Sequence, residues 1–173
     1  PSVEQVAITN MTRFANDASS RWGRVFDDYA ALHQWSVDAP REFWTSIWEW
    51  TGVIGAGNID PVVINPGQMP GARWFPEVRL NFARNLLRRQ DSAPALIFRA
   101  EDKVEHSLSY AELYRQVAGL ADTLKQAGIV PGDRVCGFMP NMPETVVAML
   151  ASAAVGAVWS SCSPDFGVQG VLD

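Results

Sequence analysis

The chain has 173 residues, 47% of them apolar and 19% charged, which excludes a disordered or collagen-like polymer and leaves one folded domain of ordinary size, or one with an appendage. Its 14 basic and 19 acidic side chains give a formal net charge of −5, and only Lys103 and Lys125 are lysines, so the clustered cations of a nucleic-acid binder are missing. The length is also short for an enzyme that joins two substrates with a nucleotide, which needs two lobes. The start, Pro1-Ser2-Val3-Glu4-Gln5, has no initiator Met and no basic segment before an apolar core, so it is not read as a signal peptide but as a cut or processed end.

Six of the seven tryptophans lie in the first 74 residues, so the front of the chain is expected to pack differently from the rest. Over residues 38 to 51, Asp38 can cap and Pro40 fits a first helical turn. Phe43, Trp44, Ile47 and Trp48 recur at helical spacing before Gly52, which predicts an amphipathic helix with a large aromatic face. Residues 52 to 76 are rich in Gly and Pro and read as an extended connection, with a short strand at Val62 to Ile64 and a turn at Gly55-Ala56-Gly57. Asn81 can open a helix whose apolar face is Phe82, Leu86 and Leu87. Its other face carries Arg84, Arg88 and Arg89, either an anion patch or a solvated surface.

The second half has a clearer rhythm. Ala95 to Phe98 and Val104 to Leu108 flank an acidic turn at Glu101-Asp102, which predicts a hairpin. Ser109-Tyr110-Ala111-Glu112 is a capping box, and Tyr110, Leu113, Tyr114, Val117, Leu120, Ala121 and Leu124 then form one stripe ending at Gly128. Pro131-Gly132-Asp133 reads as a turn and Arg134 to Phe138 as a strand. Asn141-Met142-Pro143-Glu144 repeats the capping-box pattern ahead of a helix to Val155 that is apolar nearly all round and so must be covered on both sides. Gly156 ends it, and the run from Ala157 to Trp159 begins a strand of the parallel, doubly covered kind. This order of helices and strands predicts right-handed crossovers and a three-layer αβα sheet. Thr145 to Pro164 carries no charge over twenty residues, but Gly156 divides it into a helical and a β-like half, which reads as buried structure rather than a membrane span.

Few residues carry recognisable chemistry. There is no phosphate loop with Lys-Ser/Thr, no GxGxxG after a strand and no GxSxG elbow. Cys136 and Cys162, 26 positions apart with no ligand-spaced partner, suggest two reduced, buried thiols and neither a zinc site nor a disulfide framework. No motif places an acid or nucleophile beside His33 or His106, so both are expected to be structural. No catalytic residue and no metal site is therefore assigned. One loop lies where ligands bind in parallel sheets, beyond the carboxyl end of the Trp159 strand. Ser163-Pro164-Asp165-Phe166-Gly167 offers a hydroxyl, a carboxylate, a flat apolar ring and a glycine that permits close backbone approach. The alternative is a simple turn in which Asp165 caps the next helix.

Several segments together carry a resemblance. Trp35-Ser36-Val37-Asp38 with Pro40 and Phe43-Trp44 is similar to the helical amino-terminal region of acetyl-CoA synthetases. Trp74-Phe75-Pro76, Leu80-Asn81-Phe82-Ala83 and Asn85-Leu86-Leu87 resemble the entry segment of the same group. Leu108-Ser109-Tyr110-Ala111-Glu112-Leu113, Pro131-Gly132-Asp133-Arg134-Val135, Met139-Pro140-Asn141 and Ala151 to Trp159 resemble core motifs of the adenylate-forming acyl-CoA synthetase superfamily. Where acetyl- and propionyl-CoA synthetases have Gly-Gly-Phe-Ser, this chain has Pro164-Asp165-Phe166-Gly167, which is like the acetoacetate-CoA ligase (acetoacetyl-CoA synthetase) family.

The resemblance implies an α/β chain that is an amino-terminal fragment. Residues 1–76 would be the helical Trp-rich region, and 77–173 the truncated first part of a three-layer AMP-binding large domain, the remainder of the same chain completing it. It implies a cytoplasmic ligase of lipid and ketone-body metabolism that activates acetoacetate with ATP and Mg2+ and passes the acyl group from the adenylate to CoA. Phe166 corresponds to the family Phe near the CoA pantetheine arm, with Ser163, Asp165 and Gly167 as its neighbours. The phosphate-binding loop, the ribose-binding acid and the catalytic Lys of the family would follow position 173, so the chain alone is expected to be inactive. No nucleic acid and no membrane is implied as a partner. A helix broken off at Asp173, whose charge opposes the dipole there, fits this reading. The alternative is a small non-catalytic α/β binding or interaction module, supported by a length that can fold alone.

Overall fold

The computed structural model describes residues 2–101 and 105–172. The expected turn residue Asp102, Lys103, Val104 at the start of the second hairpin strand, and Pro1 and Asp173 at the ends lie outside the described residues. The chain divides into two compact units, Pro1–Leu80 and Asn81–Asp173.

Among the described residues the first unit holds four helices, α1 (Val3–Ala7), α2 (Asn10–Trp22), α3 (Tyr29–Asp38) and α4 (Pro40–Trp50). Local chemistry starts each of them. Ser2 and Gln5 form a capping box on α1, while the Thr9 and Asp28 side chains accept the N–H groups of Thr12 and Ala31 to open α2 and α3. The helix expected from Asp38 onward is corrected at its start. Asp38 is the last residue of α3 and its carboxylate takes the Gln34 amide, while Pro40 opens α4 after Ala39 with no side-chain cap. Proline suits that position because the first turn needs no donor from it.

Phe14, Ala18, Leu32 and Trp35 are buried at the centre, with Trp22, Phe26, Phe43 and Ile47 packed on them. The rings of Phe14, Trp35, Phe43, Trp44 and Trp74 meet edge to face at 5.3–6.0 Å, the geometry that aromatic quadrupoles favour. The half-buried Trp22 and the buried Trp35 both have indole partners: Trp22 Nε1 donates to Ser46 Oγ and Trp35 Nε1 to Glu42 Oε2, each at 2.8 Å. Four two-residue strands finish the unit, β1 (Gly55–Ala56) antiparallel to β4 (Arg79–Leu80) and β2 (Val63–Ile64) antiparallel to β3 (Arg73–Trp74). Gly55 to Gly57 is therefore a paired strand and its exit rather than a free turn.

The second unit begins with α5 (Phe82–Leu86), capped by Asn81, whose side-chain oxygen accepts the Arg84 N–H at 3.0 Å. Its buried face is corrected: Ala83 and the following Leu87 are buried, whereas Phe82 and Leu86 are exposed. The hairpin β5 (Pro94–Arg99) and β6 (Glu105–Ser109) is antiparallel, and α6 (Tyr110–Gln126) follows directly. Ser109 N–H and Oγ–H both donate to Glu112 Oε2, and Ser109 Oγ accepts the Glu112 N–H, the full capping box. Next come β7 (Arg134–Phe138), α7 (Pro143–Val155), β8 (Val158–Cys162), a 3-10 turn at Pro164–Phe166 and α8 (Gly167–Leu172).

Strands β7 and β8 pair in parallel, as a crossover through α7 requires. The core is Leu113, Val117 and Ala121 of α6 against Val147, Leu150, Ala151 and Val155 of α7, closed by Ala83 and Leu87. One expectation about α7 changes. Asn141 does not cap it: Met142 occupies the cap without a side-chain bond, and Thr145 Oγ1 donates to the Pro140 carbonyl instead. The coverage it was expected to need comes in part from α5 and α6, which both pack on it, and Asn81 Nδ2 donates to the Ala154 carbonyl at 3.0 Å. Double coverage does not extend to the sheet. Arg134, Cys136 and Phe138, and Val158 and Ser160 opposite them, are exposed, and so Cys136 is exposed and Cys162 half-buried rather than both buried. Among the described residues no helix is long and apolar enough to cross a membrane.

Candidate functional site

The loop after β8 leaves the carboxyl edge of the parallel pair. Parallel register brings Phe138 beside Cys162, and the Met139 N–H continues the ladder to the Cys162 carbonyl at 3.1 Å. The segment Phe138–Met139–Pro140 thus shares the edge with Ser163–Gly167. The sequence marks only the second of these as a ligand loop. The signal for the first was available, since parallel strands necessarily present their carboxyl ends together.

Within the loop, Ser163 is the capping residue. Its Oγ accepts the Asp165 N–H at 3.3 Å and donates to Asp165 Oδ2 at 2.9 Å, and its carbonyl accepts the Phe166 N–H at 3.2 Å. The alternative of Asp165 as a helix cap is therefore not what the geometry contains. Pro164 supplies the fixed φ of the turn. Gly167 has φ 65° and ψ 179°, a region essentially restricted to glycine, and no atom lies within 4 Å of where a Cβ would be. Phe166 is 62% exposed, and Asp165 and Gly167 are exposed with it. Among the described residues no cation forms an ion pair with Asp165.

The other candidates fall elsewhere. His33 is exposed on α3, tilted against Tyr29 at 6.2 Å, and His106 is exposed on β6 opposite Phe98. Arg89 is engaged by Asp91 through two hydrogen bonds of 2.9 and 3.1 Å and lies 4.2 Å over the Tyr110 ring, which removes it from any anion patch. The Asp91 carboxyl is held below the ordinary range by Arg89 and the Ala93 N–H, and Arg89 is raised in turn by Asp91. No group of three or more His, Cys, Asp or Glu able to hold a metal occurs among the described residues. What the loop can do chemically is bind: it presents a ring, a carboxylate acceptor and a glycine that permits close backbone approach.

The second unit matches the AMP-binding enzyme family over residues 82–172, more than half of the chain, and the chain belongs to that family. Residues 29–86 match the acetyl-coenzyme A synthetase N-terminus. Within the family the chain is homologous to the acetoacetyl-CoA synthetases. It is 51% identical to the acetoacetyl-coenzyme A synthetase of Rhizobium meliloti (strain 1021), over 100% of this chain and 26% of that protein. It is 40% identical to the acetoacetyl-CoA synthetase of Xenopus tropicalis, over 96% of this chain and 25% of that one. The solved acetoacetyl-CoA synthetase from Streptomyces lividans superposes on 99% of this chain and 27% of its own with a TM-score of 0.93 at 45% identity. The chain thus spans about a quarter of the length of the relatives it matches.

Proposed function

We propose that this chain is the amino-terminal part of an acetoacetate-CoA ligase. The longer protein joins acetoacetate to CoA through an acetoacetyl adenylate, with release of pyrophosphate and then AMP. The observation that carries the reading is similarity along the whole chain to acetoacetyl-CoA synthetases, at 51% identity to the rhizobial protein. In this reading residues 1–76 are the helical amino-terminal region and 77–173 the first part of the large domain, and the ligase is cytoplasmic.

The chain's own part in the reaction is to contribute to a binding surface. ATP activation needs groups that stabilise charge on the transferred phosphoryl unit. The described residues offer no metal-binding cluster, so Mg2+ is not assigned to them and no step is routed through it. The loop 163–167 suits the neutral arm of CoA. Phe166 gives an apolar face, Gly167 leaves room for close approach, and the Asp165 carboxylate can accept an amide N–H while disfavouring a phosphate. The test is acetoacetate-dependent exchange of pyrophosphate into ATP by the full-length protein. Exchange driven by acetoacetate well above that driven by acetate is expected, and none from the 173-residue chain alone. Equal rates with the two acids would overturn the substrate assignment, and exchange by the short chain would show that the adenylation site lies within it.

A further inference from the structure

We propose that Ser163 is a positioning residue for the thiol-substrate step: its hydroxyl locks the turn that aims Phe166 at the CoA arm. This rests on the reading of the loop as a CoA contact given above and goes beyond it in naming what holds the contact in place. Phe166 lies between Ser163 and Gly167, so the backbone of that turn sets the direction in which its side chain leaves the chain. That backbone is held at both ends. On the carboxyl side Gly167 occupies its glycine-only conformation and turns the chain into α8. On the amino side the half-buried Ser163 closes two rings at once, accepting the Asp165 N–H at 3.3 Å and donating to Asp165 Oδ2 at 2.9 Å.

The bond from the Ser163 hydroxyl engages Asp165 Oδ2 and orients the carboxylate, leaving Oδ1 as an acceptor. Both the ring and the remaining acceptor are therefore pre-placed before a ligand arrives. A turn without the Ser163 hydroxyl would have to be ordered on binding, which weakens affinity without touching groups that react. Alanine removes both bonds, whereas threonine retains the hydroxyl.

The experiment uses the full-length enzyme and compares Ser163→Ala, Ser163→Thr and Phe166→Ala in two assays, acetoacetate-dependent pyrophosphate exchange and CoA-dependent thioester formation. Ser163→Ala is expected to raise KM for CoA about tenfold, since both bonds of an exposed turn are lost, with kcat and the exchange rate close to wild type. Ser163→Thr is expected to restore KM, and Phe166→Ala to raise it. If Ser163→Ala leaves KM for CoA within about twofold while Phe166→Ala raises it, the positioning role is wrong and the CoA loop stands. If Phe166→Ala also has no effect, the loop reading itself fails. Loss of exchange in Ser163→Ala, or a threonine variant that behaves like alanine, would show a merely structural residue and overturn the proposal.

Discussion

Gly57 and Gly119 show that one residue type has opposite roles, decided by neighbours that a local reading does not contain. Gly57 has φ 120°, and a Cβ there would run into the Glu77 carbonyl, brought back by the chain twenty residues later just ahead of β4. Gly119 lies exposed inside α6 with nothing within 4 Å of its would-be Cβ. Gly57→Ala is therefore expected to destabilise by about 2 kcal/mol or more, through backbone strain and the forced shift of Glu77. Gly119→Ala is expected to stabilise by about 1 kcal/mol, since helical glycine costs chain entropy with no compensating contact here. Thermal or urea unfolding of the two variants would check both signs. Glu42 makes the same point about a charged side chain. Helical phase puts it on α4, but only the fold shows that it receives the Trp35 indole N–H and the Arg24 guanidinium together.

Among elements, α6 is the most completely specified by its own sequence. Its cap, stripe and stop all lie within Ser109 to Gly128, and the stripe residues Leu113, Val117 and Ala121 are the buried ones. The capping box also gives the helix a pH dependence. Hydrogen bonds from the Ser109 hydroxyl and N–H hold the Glu112 carboxyl below the ordinary carboxylate range. The unfolded chain then binds the proton more readily, so this stabilisation is complete above the ordinary range and is lost as pH falls through the lowered folded value. Ser109→Ala is expected to cost about 1 kcal/mol near neutral pH. The gap from wild type should narrow in acid, which melting curves at a series of pH values would show; a gap independent of pH would deny the Glu112 linkage. Helix α7 was legible in extent but not in its start. Asn141 has the right residue type for a cap, yet Pro143 at the first turn and the Thr145 bond to Pro140 provide another way to begin.

At the scale of the whole chain, apolar surface is left open at the carboxyl edge of the second unit. Phe138 is 55% exposed, and Phe166, Val168, Val171 and Leu172 are exposed beyond it. Exposed apolar surface binds hydrophobic probes and favours association. The 173-residue chain is expected to enhance the fluorescence of an anionic hydrophobic dye, and Phe138→Ser to reduce the enhancement. No change in that variant would argue that the dye reads another surface. The sequence by itself determined the elements whose signals are local: the hairpin, α6, the β7 turn and strand, the extent of α7, and the loop at the end of β8. It also carried the family resemblance, because that is spread over many short segments. Its residues by themselves marked out no separate helix before Pro40, and the helical character of that region came through the resemblance alone. Only the tertiary structure decided which face of α5 is buried, that α5 and α6 both pack on α7, that Arg89 belongs to Asp91 and Tyr110, and that Ser163 rather than Asp165 caps the loop. Each of those depends on distance between residues remote in the chain or on competition between equally suitable neighbours, and periodicity along a sequence encodes neither.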